Sequence, residues 1–169
     1  MKTGDILLVS GTSKQAEIIQ KFQCKVDPES GVYNHSGIIL VTKNDIYVVE
    51  EAPIEGYKLK AAAVINPIEH YTEGDYQLKV LTPLIPVDEK CFEQILFEYI
   101  GIPYDYESLL RGQILRIILN WWVGRKHDKG WKRMVCHEFT QFIWHTYRNI
   151  FPEYYKGDVS KIYHSKDFK

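Results

Sequence analysis

The chain contains few cysteines and nothing that pairs them. Cys24, Cys91 and Cys136 are an odd set at wide spacing with no CxxC among them. That argues against a disulfide framework and against a paired-cysteine zinc site, and it fits a reducing compartment. Long hydrophobic runs are also missing. In the N-terminal MKTGDILLVSG the apolar run is only ILLV, interrupted upstream by Asp5. This is too short for a signal-peptide core and far too short to cross a bilayer, so the expected location is the cytoplasm. Neither sign of charge dominates. With a formal net charge of -1 there is no overall electrostatic footprint for nucleic acid. No repeat, low-complexity segment or linker divides the sequence, so residues 1–169 are expected to form one domain. At 45% hydrophobic and 25% charged residues it can bury a core without covalent staples.

What is present divides into a strand-rich first half and a mostly helical second half, which predicts an α+β fold. DILLV between glycines reads as a short buried strand over Gly4–Ser10. Thr12 and Gln15 have capping-box spacing for a short helix carrying Ile18, Ile19 and Phe22 inward. CKVDPESG, from Cys24 to Gly31, reads as a loop. Tyr33–Val41 and Ile46–Ala52 are apolar β-rich runs on either side of Lys43-Asn44-Asp45, a hairpin signal. Lys58–Ile65 and Tyr76–Leu81 are further strands. Asp88 caps a helix with an apolar stripe of Cys91, Phe92, Ile95, Leu96 and Tyr99, and Gly101 stops it. On this pattern Cys91 is a core residue. A second helical stretch runs from about Tyr106 to Val123.

Cys136 is the second residue of VCHEFTQFIWHTY, where Cys136, Phe139, Ile143 and Tyr147 recur at helical spacing. A thiol in the first turn of a helix faces backbone N–H groups and the positive end of the helix dipole, which favour the thiolate. A lone cysteine is more often an inert core residue, so the question is whether the chain supplies a base. His35 begins one arm of the hairpin, and Glu50 and Glu51 end the other, so folding the hairpin carries a carboxylate toward the imidazole. Such a carboxylate would fix the ring's tautomer and stabilise its charged form. An acid pair inside the apolar run VVEEA is rarely left without a partner.

GDILLVSG, NHSGIIL, YVVEEA, GIPYDY and VCHEFTQFIWHTY, in that order, resemble the circularly permuted papain-like amidases of the NlpC superfamily. The likeness is to the YiiX-like branch and, more distantly, to lecithin retinol acyltransferase, and it spans about Gly4 to Tyr147. The resemblance implies an antiparallel sheet or small barrel packed on helices, with the nucleophile at a helix N-terminus. It implies Cys136 as nucleophile and His35 as base. Glu51, directly before Ala52, is implied as the third residue, with Glu50 as the fallback. Tyr104 and Asp105 match the turn that shapes the pocket. His137 departs from the small residue that usually follows the cysteine, and Val135 from the tyrosine that often precedes it.

These segments also fit two other patterns. His137, Glu138 and His145 begin like a zinc helix, but H-E-x-x-H needs histidine where Gln141 stands, so neither metal nor cofactor is expected. RGQILRIILNWWVGR, from Arg111 to Arg125, offers Trp121 and Trp122 to a membrane surface, though a core-packing helix or a wall beside the site explains it as well. The expectation is a cysteine hydrolase or acyltransferase that forms an acyl-thioester on a peptide, small-molecule or lipid-like substrate. The alternatives are an inactive binding module of the same fold and a membrane-associated lipid acyltransferase.

Overall fold

The computed structural model describes residues 1–53, 61–105, 134–152 and 159–169. In chain order these form β1 (Ile6–Ser10), α1 (Lys14–Val26), β2 (His35–Val41), β3 (Ile46–Pro53), β4 (Ala61–Pro67), α2 (Glu69–Thr72), β5 (Gln77–Leu81), α3 (Glu89–Glu98), α4 (Cys136–Arg148) and α5 (Val159–Tyr163). The strands make one antiparallel sheet in the order β4-β3-β2-β1-β5. This is the α+β layout expected from the segregation of strand and helix patterns. The segment expected to be helical over 106–123, and with it Trp121 and Trp122, lies outside the described residues.

Strand alternation gives the sheet two faces. Ile6, Leu8, Ile38, Leu40, Val49 and Ala63 point to one face and pack with Phe139, Phe142 and Ile143 of α4. Leu7, Val9, Ile39 and Val48 point to the other, where Ile68 and Tyr71 cover them. The central strands are therefore buried on both faces, which is why they read as apolar runs and not as alternating ones. Helix α4 packs on β2 and β3. Its Trp144 meets Phe92 of α3 at 4.9 Å between ring centroids and Phe168 at 5.1 Å. Aromatic contacts of this kind contribute about 0.5–1.5 kcal/mol beyond burial. The residues after α5 return to the sheet end, where Thr82 and Lys169 exchange backbone hydrogen bonds of 2.8 and 3.0 Å.

Several local expectations are corrected. The cap of α1 is Ser13, whose Oγ accepts from the Ala16 N–H at 3.1 Å, and not Thr12. With the start moved by one residue, Ala16 and Gln23 face inward and Ile18 is 57% exposed. The helix also runs through Cys24 to Val26, into the segment expected as loop, and ends at Asp27. Asp88 does cap α3, and Phe92 and Leu96 are fully buried. Cys91, however, is exposed, because it sits at the edge of that stripe in the first turn. Helix α4 is buried almost all round and not along a single stripe. It is the central helix, and its buried polar side chains need partners.

Candidate active site

His35 opens β2, and its place is set by β1, where Val9 is its antiparallel partner. The β2–β3 ladder closes with Val41 opposite Ile46 and Ile39 opposite Val48. The turn is thus the four residues Thr42–Asp45, pinned by Thr42 N–H donating to the Asp45 carbonyl at 2.9 Å, and not the three residues Lys43–Asp45. One residue in the turn reverses which side chains share a face. With this register Val48 and Glu50 lie on the face of His35, Gly37 and Ile39, while Glu51 lies on the opposite face, under α4. The structure therefore places Glu50 beside His35, and the assignment of Glu51 to that position is corrected.

Gly37 makes this pairing possible. A Cβ there would come within 2.4 Å of Val48 Cγ1 and 3.1 Å of Glu50 Cβ. The missing side chain is the space into which Val48 and Glu50 lean beside the imidazole.

Glu50 is fully buried and accepts from three groups. Asn66 Nδ2 donates to Oε1 at 2.8 Å, and both the Tyr71 hydroxyl and His35 Nε2 bond to Oε2. Burial opposes ionisation of Glu50, but the His35 charge and these three hydrogen bonds outweigh it and lower its pKa. An ionised carboxylate only accepts, so Nε2 carries a proton and Nδ1 is left for another partner. Burial also opposes charging of His35. The Cys136 sulfur and then Glu50, by charge and by hydrogen bond, overcome it and raise the imidazole pKa well above its ordinary value. Burial raises the Tyr71 pKa, and Glu50 raises it further, so the hydroxyl remains a donor.

Cys136 is the first residue of α4, and α4 comes in from the other face of the sheet. The site thus forms at the end of the sheet where β2 parts from β3, since β3 goes on pairing only with β4 from Glu50 to Pro53. The first-turn N–H groups of a helix have no intrahelical partner and point at whatever sits there. Val135, the cap residue, has no side-chain acceptor. Only the reciprocal half of a capping box is made, with Glu138 Oε2 accepting from the Val135 N–H at 3.2 Å. Burial opposes the Cys136 thiolate. Charge and hydrogen bonds from His137 and His35 overcome it and hold the thiol well below its ordinary pKa.

His137 is held by a hydroxyl chain. Thr140 donates to the Cys136 carbonyl at 3.1 Å, so its oxygen accepts from Ser36 at 3.0 Å. Ser36 Oγ then accepts Nδ1–H from His137 at 2.9 Å. His137 is thus tied into the surroundings of Cys136.

Cys136, His35, Glu50 and His137 are brought together, and Glu51 lies next to them. Glu51 is 1% exposed, and neither carboxyl oxygen has a hydrogen-bond partner among the described residues. Burial, then the Cys136 charge, push its pKa up to about 9, with Glu138 adding to the shift and His35 opposing it. Tyr104 and Asp105 hold the chain entering α4. Asp105 N–H donates to the Met134 carbonyl at 2.9 Å, and Met134 N–H donates to the Pro103 carbonyl at 3.2 Å. Buried Asp105 also helps burial raise the Glu138 pKa to about 8. Asn66, Tyr71, Ser36 and Thr140 were not anticipated at the site. Asn66 falls just past the strand expected over Lys58–Ile65, yet it belongs to β4 and lies opposite Val48 on the Glu50 face. Tyr71 sits on the four-residue α2, too short to leave a periodic signal.

No family model matches the sequence, and no curated protein matches it. Among solved structures the chain is similar to metalloprotein yiiX from Escherichia coli O157:H7. The match covers 73% of this chain and 69% of that one, with 20% identity and a TM-score of 0.47. At that level the likeness does not decide what individual residues do. Among the described residues, no three His, Cys, Asp or Glu side chains are arranged to hold a metal ion. Nor is any described helix long and apolar enough to cross a membrane.

Proposed function

We propose that this chain is a cysteine-dependent hydrolase or acyltransferase of the permuted papain-like kind, with Cys136 as nucleophile, His35 as base and acid, and Glu50 as the group that orients His35. One observation carries the reading. A cysteine in the first turn of a buried helix stands close enough to an imidazole for their charges to stabilise each other, and the imidazole's Nε2 is bonded to a buried, three-times-bonded carboxylate.

The arrangement stores the proton on His35 and leaves sulfur as thiolate. Attack on an amide, ester or thioester carbonyl forms the S–C bond and moves the carbonyl π pair onto oxygen. Collapse of the tetrahedral adduct expels the leaving group, which takes the proton from His35 Nδ1. Water or another acceptor then gives its proton to His35 and releases the acyl group. Asn66 and Tyr71 act through Glu50 by holding it ionised and fixed.

The test is acylation by p-nitrophenyl acetate, with release of p-nitrophenolate and the mass of the acyl-protein as readouts. The parent is expected to gain one acetyl group at Cys136. Cys136→Ala should lose the reaction by several orders of magnitude while keeping its circular dichroism spectrum. An alanine variant acylated at the parental rate would end this reading.

A further inference from the structure

The reaction proposed above places negative charge on the carbonyl oxygen, and the Cys136 backbone N–H alone is a thin provision for it. Catalysis of this type gains most from donors already in position where charge develops. Buried polar groups nearly always have partners, and one without is expected where a ligand supplies it. Glu51 is such a group. It is 1% exposed, and both oxygens lack a partner among the described residues. It sits on the β3 face that α4 covers, opposite Ala63 of β4, so no polar side chain of β4 competes for it. The groups that face it are Cys136 and Glu138 from α4 and His35 from β2. None of these gives it a hydrogen bond. Its burial and the adjoining sulfur charge keep it protonated through neutral pH, with a pKa of about 9. A carboxylic acid in that state is a hydrogen-bond donor.

We propose, building on the assignment of Cys136 as nucleophile, that Glu51 is the second oxyanion donor of this site, its carboxyl O–H bonding to the substrate's carbonyl oxygen as charge develops there. As the S–C bond forms, the π pair moves to that oxygen and the Glu51 O–H and the Cys136 N–H share it. On collapse the pair returns to re-form C=O, the leaving group departs with the His35 proton, and Glu51 keeps its own. Two adjacent glutamates thereby take opposite tasks. Glu50 is ionised and accepts from three donors, while Glu51 is neutral and donates to one acceptor.

The experiment compares two reactions of the same sulfur in the full chain. Acylation of Cys136 by p-nitrophenyl acetate passes through an oxyanion, and alkylation by iodoacetamide does not. Glu51→Leu is expected to lower the acylation rate by about 10²–10³ and alkylation by much less. Glu51→Gln, whose amide N–H₂ also donates, is expected to recover acylation to within about tenfold of the parent. The ratio of the two rates cancels the thiolate fraction. In the parent that ratio should fall as pH passes about 9, and in Glu51→Gln it should stay flat. The pH comparison uses only the parent and the conservative variant, so it decides the matter even if Glu51→Leu does not fold. Parallel falls of acylation and alkylation in Glu51→Leu would overturn the proposal. So would a parental ratio that is flat through pH 10. A parent that alkylates at Cys136 but is never acylated would instead overturn the assignment of Cys136 as the acyl-accepting nucleophile, which keeps the two failures apart.

Discussion

Replacing Glu50 by glutamine separates the orienting carboxylate from everything else at the site. The parent holds Glu50 ionised against His35, Tyr71 and Asn66. The amide keeps the volume but removes the charge, and its N–H₂ group meets donors where Glu50 offered only acceptors. A charged hydrogen bond of this kind contributes about 1.5–3 kcal/mol. At about 1.4 kcal/mol per unit, losing it should lower the His35 pKa by about one to two units. The Cys136 thiolate depends on that imidazolium, but His137 also supports it. Its own pKa should therefore rise by the smaller amount, about one unit, or about a tenfold loss of thiolate at any pH below both values.

Alkylation by iodoacetamide across pH 4–10 reports the thiolate directly. It must be resolved by peptide mass spectrometry, because Cys91 is exposed and Cys24 partly so. The parental profile should rise at a pH well below the ordinary thiol value, and that of Glu50→Gln should rise about one unit higher. The two should converge above pH 9. Glu51→Gln should leave the profile near the parent's, since Glu51 is already neutral there. A Glu50→Gln profile superimposed on the parent's, with Glu51→Gln displaced instead, would refute the pairing of Glu50 with His35.

Three other outcomes are expected. Tyr71→Phe removes one donor from buried Glu50 and should cost about 1–2 kcal/mol in urea unfolding, with a smaller rise in the Cys136 pKa than Glu50→Gln causes; unchanged unfolding would show that the hydroxyl bond contributes nothing. Gly37→Ala forces a Cβ against Val48 and Glu50. It should lower the melting temperature by several degrees, for a cost of about 1–3 kcal/mol, and slow acylation more than a distant core substitution of equal cost; unchanged melting would mean that β2 and β3 move apart freely. Glu51 keeps its proton to about 9 when folded but releases it near 4.5 when unfolded. The folded state thus binds more protons between those values, and stability falls as pH rises through that window by up to about 1.4 kcal/mol per unit. Glu51→Gln removes this slope, so its advantage over the parent should be small at pH 5 and larger at pH 8 in denaturant titrations. A constant difference would show that Glu51 is ionised in the folded protein.

Local chemistry was enough to make Cys136 and His35 candidates. Helical spacing set the thiol in a first turn, and the β-rich runs on either side of a polar turn set His35 at one end of a hairpin. Both are short-range patterns, and both elements form as the sequence predicts. The α+β layout followed from the same patterns taken over the two halves of the chain. Which carboxylate bonds His35 was not local. Glu50 and Glu51 are neighbours of the same type, and choosing between them depends on whether the hairpin turn holds three residues or four. That count is decided by hydrogen bonds between strands, and an error of one inverts the faces. Asn66, Tyr71, Ser36 and His137 belong to the site for the same reason. Each is ordinary in its own segment and becomes part of the chemistry only when a strand or helix far along the chain supplies its partner. The difference between an ionised Glu50 and a neutral Glu51 is likewise tertiary. Donors surround the first and none among the described residues reaches the second, so one buried carboxyl group is stabilised as an anion and its neighbour as an acid.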